Sequence, residues 1–205
     1  FNYCINWENP VLPKRLEKIG LGAFVNCRKL KTLHIPASVV EIGNRSFANC
    51  SNLESITVEP GNPVYSCPDN CNAVVENGYW LILGCKNTVI PDGVQGIASG
   101  AFYGCADLIF MEIPESVKEI QYYVFDDCVN LKCLKLNNPV PASLDSESFA
   151  DELYADVLLI LPSGASLSYG SAEGWSNFGN TMEAVGGHEA EVDNVAGLLK
   201  HIIEE

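Results

Sequence analysis

The sequence predicts an α/β solenoid of 23-residue units, with a parallel sheet on one face and one inserted hairpin. Three observations predict it. Phe1, Phe24, Phe47, Phe102 and Phe125 each stand three residues before a cysteine, namely Cys4, Cys27, Cys50, Cys105 and Cys128. These pairs recur at steps of 23 residues, apart from one longer interval between Cys50 and Cys105. Other apolar positions recur with them. A fixed period of this size marks stacked units that cannot bury their own apolar side alone.

The units align in order. The first holds Leu12-Pro13, Ile19-Gly20, Ala23-Phe24, Cys27, Leu30 and Leu33. The second holds Ile35-Pro36, Val39, Ile42-Gly43, Ser46-Phe47, Cys50, Leu53 and Ile56. Two more run from Ile90-Pro91 through Phe102 and Cys105 to Met111, and from Ile113-Pro114 through Phe125 and Cys128 to Leu134. A degenerate unit follows, with Phe149 and a strand from Val157 to Leu161 that ends at Pro162.

Each unit reads as one coil. Leu33 and Ile35 are two apart, so a strand points both inward and turns Thr32 and His34 outward. The proline after each strand lacks an amide donor and suits a strand end. Ser46, Phe47 and Cys50 stand at helical spacing, which predicts a short helix or 3₁₀ turn between Ile42 and Cys50.

The pattern Ile-Pro-x-Ser-Val-x-x-Ile-Gly-x-x-Ala-Phe-x-x-Cys-x-x-Leu resembles the BspA-like leucine-rich repeats, over roughly residues 1–180. The resemblance implies a right-handed leucine-rich-repeat superhelix. It also implies a secreted or surface protein of an anaerobic bacterium, of a kind that includes adhesins for host matrix proteins or other bacteria. Binding residues vary within that family, so the motif carries none over.

Length and composition set bounds. A chain of 205 residues suits one solenoid domain. We expect that domain over 1–185, with the hairpin insertion at about 59–89, a C-terminal cap at about 162–185, and a tail at 186–205. Asp193 to Ile203 spaces Val195, Leu198, Leu199, Ile202 and Ile203 on one helical face, behind Asp193 or Asn194 as cap. The chain opens at Phe1 in mid-unit, so the natural protein is expected to extend further, with any secretion signal or anchor in that part. No run of eighteen apolar residues occurs, which argues against membrane insertion. The formal charge is −14 with twelve Lys and Arg. That balance opposes phosphate backbones, so nucleic acid is not an expected partner.

Nine cysteines is an odd number, so at least one is free or pairs between molecules. The repeated cysteines are expected buried, stacked and reduced. Cys67, Cys71 and Cys85 break the repeat. They lie in an interval where Asn77-Gly78 signals a hairpin between Ala73–Val75 and Tyr79–Leu83. Cys71 and Cys85 stand near the hairpin's feet and are the candidate disulfide, with Cys67–Cys71 as the alternative. Three cysteines without a fourth ligand make no zinc site. Cys133 occupies an outward strand position like Thr32 and reads as a candidate exposed thiol. The interval resembles the inserted hairpin of some BspA-like proteins, in its Cys71-Asn72-Ala73 and Gly84-Cys85-Lys86-Asn87-Thr88 segments. Insertions in such arrays fall on loops of one face, often the recognition face. Tyr79 and Trp80 are the candidate contacts there, or they cover the flank of a neighbouring coil. Tyr169, Trp175 and Phe178 read as a cap that seals the core, with a carbohydrate platform as the alternative.

No catalytic set is found, and no cofactor is expected. His34, His188 and His201 are scattered. Gly164-Ala165-Ser166-Leu167-Ser168 lacks the second glycine of a nucleophile elbow. Asp145, Glu147, Asp151 and Glu152 read as a solvated acidic face, with loose calcium binding as the minor reading. The expectation is a non-enzymatic binding or adhesion module for protein or glycan. Its site would be the outward columns Thr32, His34, Ser55, Thr57, Phe110, Glu112, Cys133 and Lys135 of four neighbouring strands. A spacer within a larger surface protein is the alternative.

Overall fold

The computed structural model describes residues 6–184. Phe1, Cys4, His188, His201 and the segment from Asp193 to Ile203 lie outside the described residues. In chain order the strands begin with β1 (Lys18–Ile19), β2 (Thr32–Ile35), β3 (Glu41–Ile42), β4 (Ser55–Val58) and β5 (Tyr65–Ser66). Then come β6 (Val74–Glu76), β7 (Trp80–Leu83), β8 (Gly96–Ile97), β9 (Phe110–Ile113), β10 (Glu119–Ile120), β11 (Cys133–Leu136) and β12 (Ser143–Leu144). Helix α1 (Asp151–Asp156), β13 (Leu158–Leu161), α2 (Ser166–Ser171) and β14 (Asn180–Glu183) complete the described chain.

Two rows of parallel strands result. The four-residue strands pair as β2-β4 and as β9-β11-β13-β14. Thr32 lies opposite Ser55, and Phe110 opposite Cys133. The two-residue strands pair as β1-β3 and β8-β10-β12, and the antiparallel run β5-β6-β7 joins β8 through β7. The inward and outward alternation expected for β2 is present, since Leu33 and Ile35 are buried while Thr32 and His34 are exposed.

Of the short helix or 3₁₀ turn expected between Ile42 and Cys50, the turn forms and the helix does not: Ser46 N donates to Gly43 O, Ala48 N to Arg45 O and Cys50 N to Phe47 O, each at 3.2 Å. The segment is a run of tight turns, with Arg45 at φ 53° and Asn49 at φ 58°. The same two positions are left-handed in the other units, at Gly22 and Asn26, at Gly100 and Gly104, and at Tyr123 and Asp127. A helix cannot carry a left-handed residue at every fourth position. Asparagine, aspartate and glycine recur at the second of these positions because they tolerate that conformation best.

The turns at Phe24, Phe47, Phe102 and Phe125 each put a ring and a thiol into the core. Phe24 stacks on Phe47 with centroids 4.9 Å apart, Phe102 on Phe125 at 5.5 Å, and Phe125 on Phe149 at 4.9 Å. The thiols are hydrogen-bond donors. Cys50 Sγ donates to Phe24 O at 3.3 Å, and Cys128 Sγ donates to Phe102 O at 3.2 Å. Burial pushes both thiols up to about 12, so they keep the proton that this bond needs.

The insertion enters the core instead of hanging from a surface loop. Asn77 at φ 51° and Gly78 at φ 77° form the tight turn between β6 and β7. Val74, Leu83 and Cys85 join the apolar cluster on the N-terminal side, while Ala73, Val75 and Leu81 join the larger one beyond. Gly84 takes the place of a ring in the stack, because a Cβ there would stand 2.1 Å from the Phe102 ring. Its carbonyl accepts from Cys105 Sγ at 3.9 Å, as the Phe102 carbonyl accepts from Cys128.

At the C-terminal end β14 adds a strand beyond the point where the repeat fades. Tyr169, Trp175 and Phe178 are buried. Tyr169 Oη donates to Asn138 O at 2.7 Å, and Trp175 Nε1 donates to Ala142 O at 2.7 Å. Their faces are spent on the Phe149 side of the core, so they offer no open carbohydrate platform.

Candidate functional site

The outward face of the four-residue strands divides into two parts. On β2 and β4 it is polar, with Thr32, His34 and Thr57 exposed and Ser55 half-buried. Side-chain contacts 23 residues apart in sequence knit it together. His34 Nδ1 lies 2.9 Å from Thr57 Oγ1, and Thr32 Oγ1 donates to Asn9 Oδ1 at 2.8 Å. On β9 and β11, Glu112 Oε1 meets Lys135 Nζ at 3.1 Å and accepts from Asn137 Nδ2 at 2.8 Å.

Cys133 does point outward, yet it is fully buried and not an exposed thiol. It packs with Ile160 and Ala184, against the half-buried Phe110, Leu158 and Met182. The β13 and β14 residues beside it are apolar, so they close over its sulfur. Burial pushes this thiol up to about 12.

The four strands expected to be neighbours are not contiguous. β4 and β9 belong to separate sheets, and the insertion stands between them. Its side chains close the β4 edge. Ile56 N donates to Asn72 Oδ1 at 3.4 Å, Cys67 Sγ donates to Ile56 O at 3.4 Å, and Asn87 Nδ2 donates to Glu54 O at 3.0 Å. Single side-chain amides replace a strand's ladder here, so the sheet stops. On the other side β9 is an edge strand.

A cleft of about 610 Å³ opens at this break, lined by Pro68, Asp69, Lys86, Val89, Phe110 and Glu112 among others. Lys86 is held between two carboxylates, 2.9 Å from Glu54 and 3.4 Å from Asp107. The hydrogen bond that the Lys86 ammonium donates to Glu54 is the main cause that raises Lys86, and Lys86 in turn lowers Glu54. Asp69, Asp92 and Glu112 add three carboxylates to the wall. The cleft therefore presents an apolar floor at Phe110, an acidic rim and the edge of a strand.

Of the candidate insertion contacts, Tyr79 is exposed, and Trp80 lies over Gly96, where a Cβ would meet its ring at 2.3 Å. Cys71 Sγ stands 3.6 Å from Cys67 Sγ, while Cys85 Sγ is directed to Asn72 O at 3.6 Å. Among the described residues no group of three or more His, Cys, Asp or Glu is placed to hold a metal ion. No described helix is long and apolar enough to cross a membrane. Sequence reasoning passed over Asn72, Asn87 and Asp69. The signal available was an asparagine beside each foot of the hairpin, Asn72 after Cys71 and Asn87 two residues beyond Cys85.

The chain belongs to the BspA type leucine-rich repeat family, whose repeat region matches residues 1–77 and 75–159 in six copies. It is similar in fold to a leucine-rich cell surface protein from Faecalibacterium prausnitzii. The TM-score is 0.55 at 24% identity, over 93% of this chain and 57% of that one. A leucine-rich repeat protein from Eubacterium ventriosum matches with a TM-score of 0.50 at 20% identity, over 73% of this chain and 46% of that one. The chain thus spans about half the length of these structures. No curated protein sequence matches it.

Proposed function

We propose that this chain is a non-enzymatic protein-interaction module of a secreted or cell-surface bacterial protein, and that it works in adhesion. In this reading residues 1–185 form one right-handed solenoid of 23-residue coils, with an insertion at about 59–89 and a cap at about 162–185. The partner is gripped by the outward face of the long strands, through Thr32, His34, Ser55, Thr57, Phe110, Glu112 and Lys135, with Tyr79 at the margin. Cys133 is no part of that surface.

One observation carries the reading: the cleft at the sheet break, where the half-buried Phe110 ring sits among Asp69, Asp92 and Glu112. An aromatic floor with a charged rim is the composition that anchors protein partners. The carboxylates and the −14 charge favour a partner presenting lysine or arginine. A rigid repeat surface loses little freedom on binding. Membership in the family and the fold neighbour named as a cell surface protein support the location.

The test is a binding screen of the purified chain against matrix proteins and glycans, repeated with His34→Ala and Phe110→Ala combined. A loss of affinity beyond tenfold, about 1.4 kcal/mol, is expected for the true partner. Unchanged affinity in a variant that melts normally rejects this face as the site. Binding confined to glycans rejects the protein-partner reading.

A further inference from the structure

We propose that Cys67 and Cys71 form a redox-labile disulfide that fixes the wall of the cleft. The two sulfurs stand 3.6 Å apart, and bond formation brings them to about 2.0 Å. The backbone between them is shaped to bring them together. Asp69 at φ 52° and Asn70 at φ 53° are left-handed, and Cys71 N donates to Pro68 O at 2.9 Å. Four residues in an extended chain would hold these sulfurs far apart, so the proximity comes from this turn.

The other pairing does not share the geometry. Cys85 Sγ faces Asn72 O and Thr88 Oγ1, which lie 3.6 and 3.9 Å away. The remaining described cysteines are sealed in the core, whereas Cys67 is half-buried and can be reached from solvent.

The oxidant is a small-molecule disulfide such as oxidised glutathione. Cys67 loses its proton to water and its thiolate attacks one sulfur of the reagent. A mixed disulfide forms and one reagent thiolate leaves. Cys71 Sγ then loses its proton and displaces the second reagent thiolate. Two protein thiols and one small disulfide become one protein disulfide and two small thiols, with two electrons passed to the reagent. Burial raises the Cys71 thiol most, and the neighbouring Cys67 raises it further.

The place of the bond gives it a consequence. Pro68, Asp69 and Cys71 line the cleft, and Cys67 Sγ bonds to Ile56 O at the closed edge of β4. Oxidation joins Cys67 to Cys71 covalently across the Pro68–Asn70 turn and removes the S–H that Cys67 donates to Ile56 O, so the wall exchanges its tie to β4 for a closed turn, and reduction restores the tie. The inference rests on thiol geometry and stands whatever the partner is.

The test treats the native full chain with excess oxidised glutathione, then blocks free thiols in denaturant and maps peptides by mass spectrometry. Seven of the nine cysteines are expected to be blocked, because two are joined. Cys85→Ser still loses two thiols. Cys71→Ser stops at a glutathione adduct on Cys67. Nine blocked thiols, or a linked pair that survives Cys67→Ser, overturns the proposal.

Discussion

Truncation of Phe125 to alanine tests the view that ring-on-ring stacking between coils holds this protein together. Phe125 is fully buried and sits between Phe102 at 5.5 Å and Phe149 at 4.9 Å. Removal of a buried phenylalanine costs about 3–5 kcal/mol, and the spread reflects how far the site collapses. Collapse is resisted here, because both neighbouring rings are pinned by their own coils. Two stacked partners are also lost, each worth roughly 0.5–1.5 kcal/mol beyond area burial. We expect a loss near the top of the range, about 5 kcal/mol. That is a third or more of the stability of most domains, which lies at about 5–15 kcal/mol.

The assay is urea unfolding followed by far-ultraviolet circular dichroism. The midpoint should fall steeply. The transition should also lose cooperativity, since each coil in a repeat array is held by its neighbours and a weak central rung uncouples the two sides. Val129→Ala, at an exposed position of the same coil, is the control and should stay within about 0.5 kcal/mol. A cost below about 2 kcal/mol for Phe125→Ala, with a transition as sharp as wild type, would refute the stacking argument.

Replacement of Cys128 by alanine removes the donor to Phe102 O and should cost about 1–3 kcal/mol by urea titration, with the acceptor left unpaired. Gly84→Ala places a methyl group against the Phe102 ring, so loss of soluble protein or a cost of about 1–3 kcal/mol or more is expected in thermal melts. Glu183 accepts hydrogen bonds from Gly164 N and Ser166 N, and bonds to Ser166 hold its carboxyl down to about 2. Its folded value lies below its unfolded one, so its stabilisation is complete above about 4.3 and is lost as pH falls toward about 2. Melts across that window should show Glu183→Gln with a flatter pH response than wild type. Formation of the Cys67–Cys71 bond closes a small loop and should raise stability by at most about 2 kcal/mol in parallel urea titrations of oxidised and reduced protein.

The sequence predicted what repetition predicts. Phe24, Phe47, Phe102 and Phe125 line up because each coil needs an apolar plug at the same height. Leu33 and Ile35 turn inward because a strand alternates. The turn segments were half legible, since the helical spacing of Ser46, Phe47 and Cys50 allowed a short helix or a 3₁₀ turn and only the turn forms. Left-handed Arg45 and Asn49 break that helix, and arginine or tyrosine gives no warning of such a conformation. The burial of Cys133 was also hidden. Its register position is outward, and its cover comes from Phe110, Leu158 and Met182, which are outward residues of other coils. Strand alternation assigns a face, but only the identity of neighbours in the next coil says whether that face is wet. The cleft was illegible for a related reason. It exists because Asn72 and Asn87 cap β4 with side chains, and nothing in the repeat announces that an asparagine will replace a strand.

That replacement explains why recognition would concentrate at the break. A regular repeat sheet offers a partner only side-chain tips, since its backbone groups are consumed in the ladder between coils. Where the ladder stops, an edge strand and a hollow appear together. The chain fills one side of the gap with amides from Asn72 and Asn87 and leaves Phe110 and Glu112 of β9 facing the other. Insertion of a hairpin thus changes the array from a uniform wall into a wall with one distinct notch. The same insertion delivers Cys67 and Cys71 to the rim, so two free thiols 3.6 Å apart stand where the surface is least regular. A module that varied its exposed residues could change partner at this notch without disturbing the stacked rings, because Phe110, the ring of the notch, lies outside the stack.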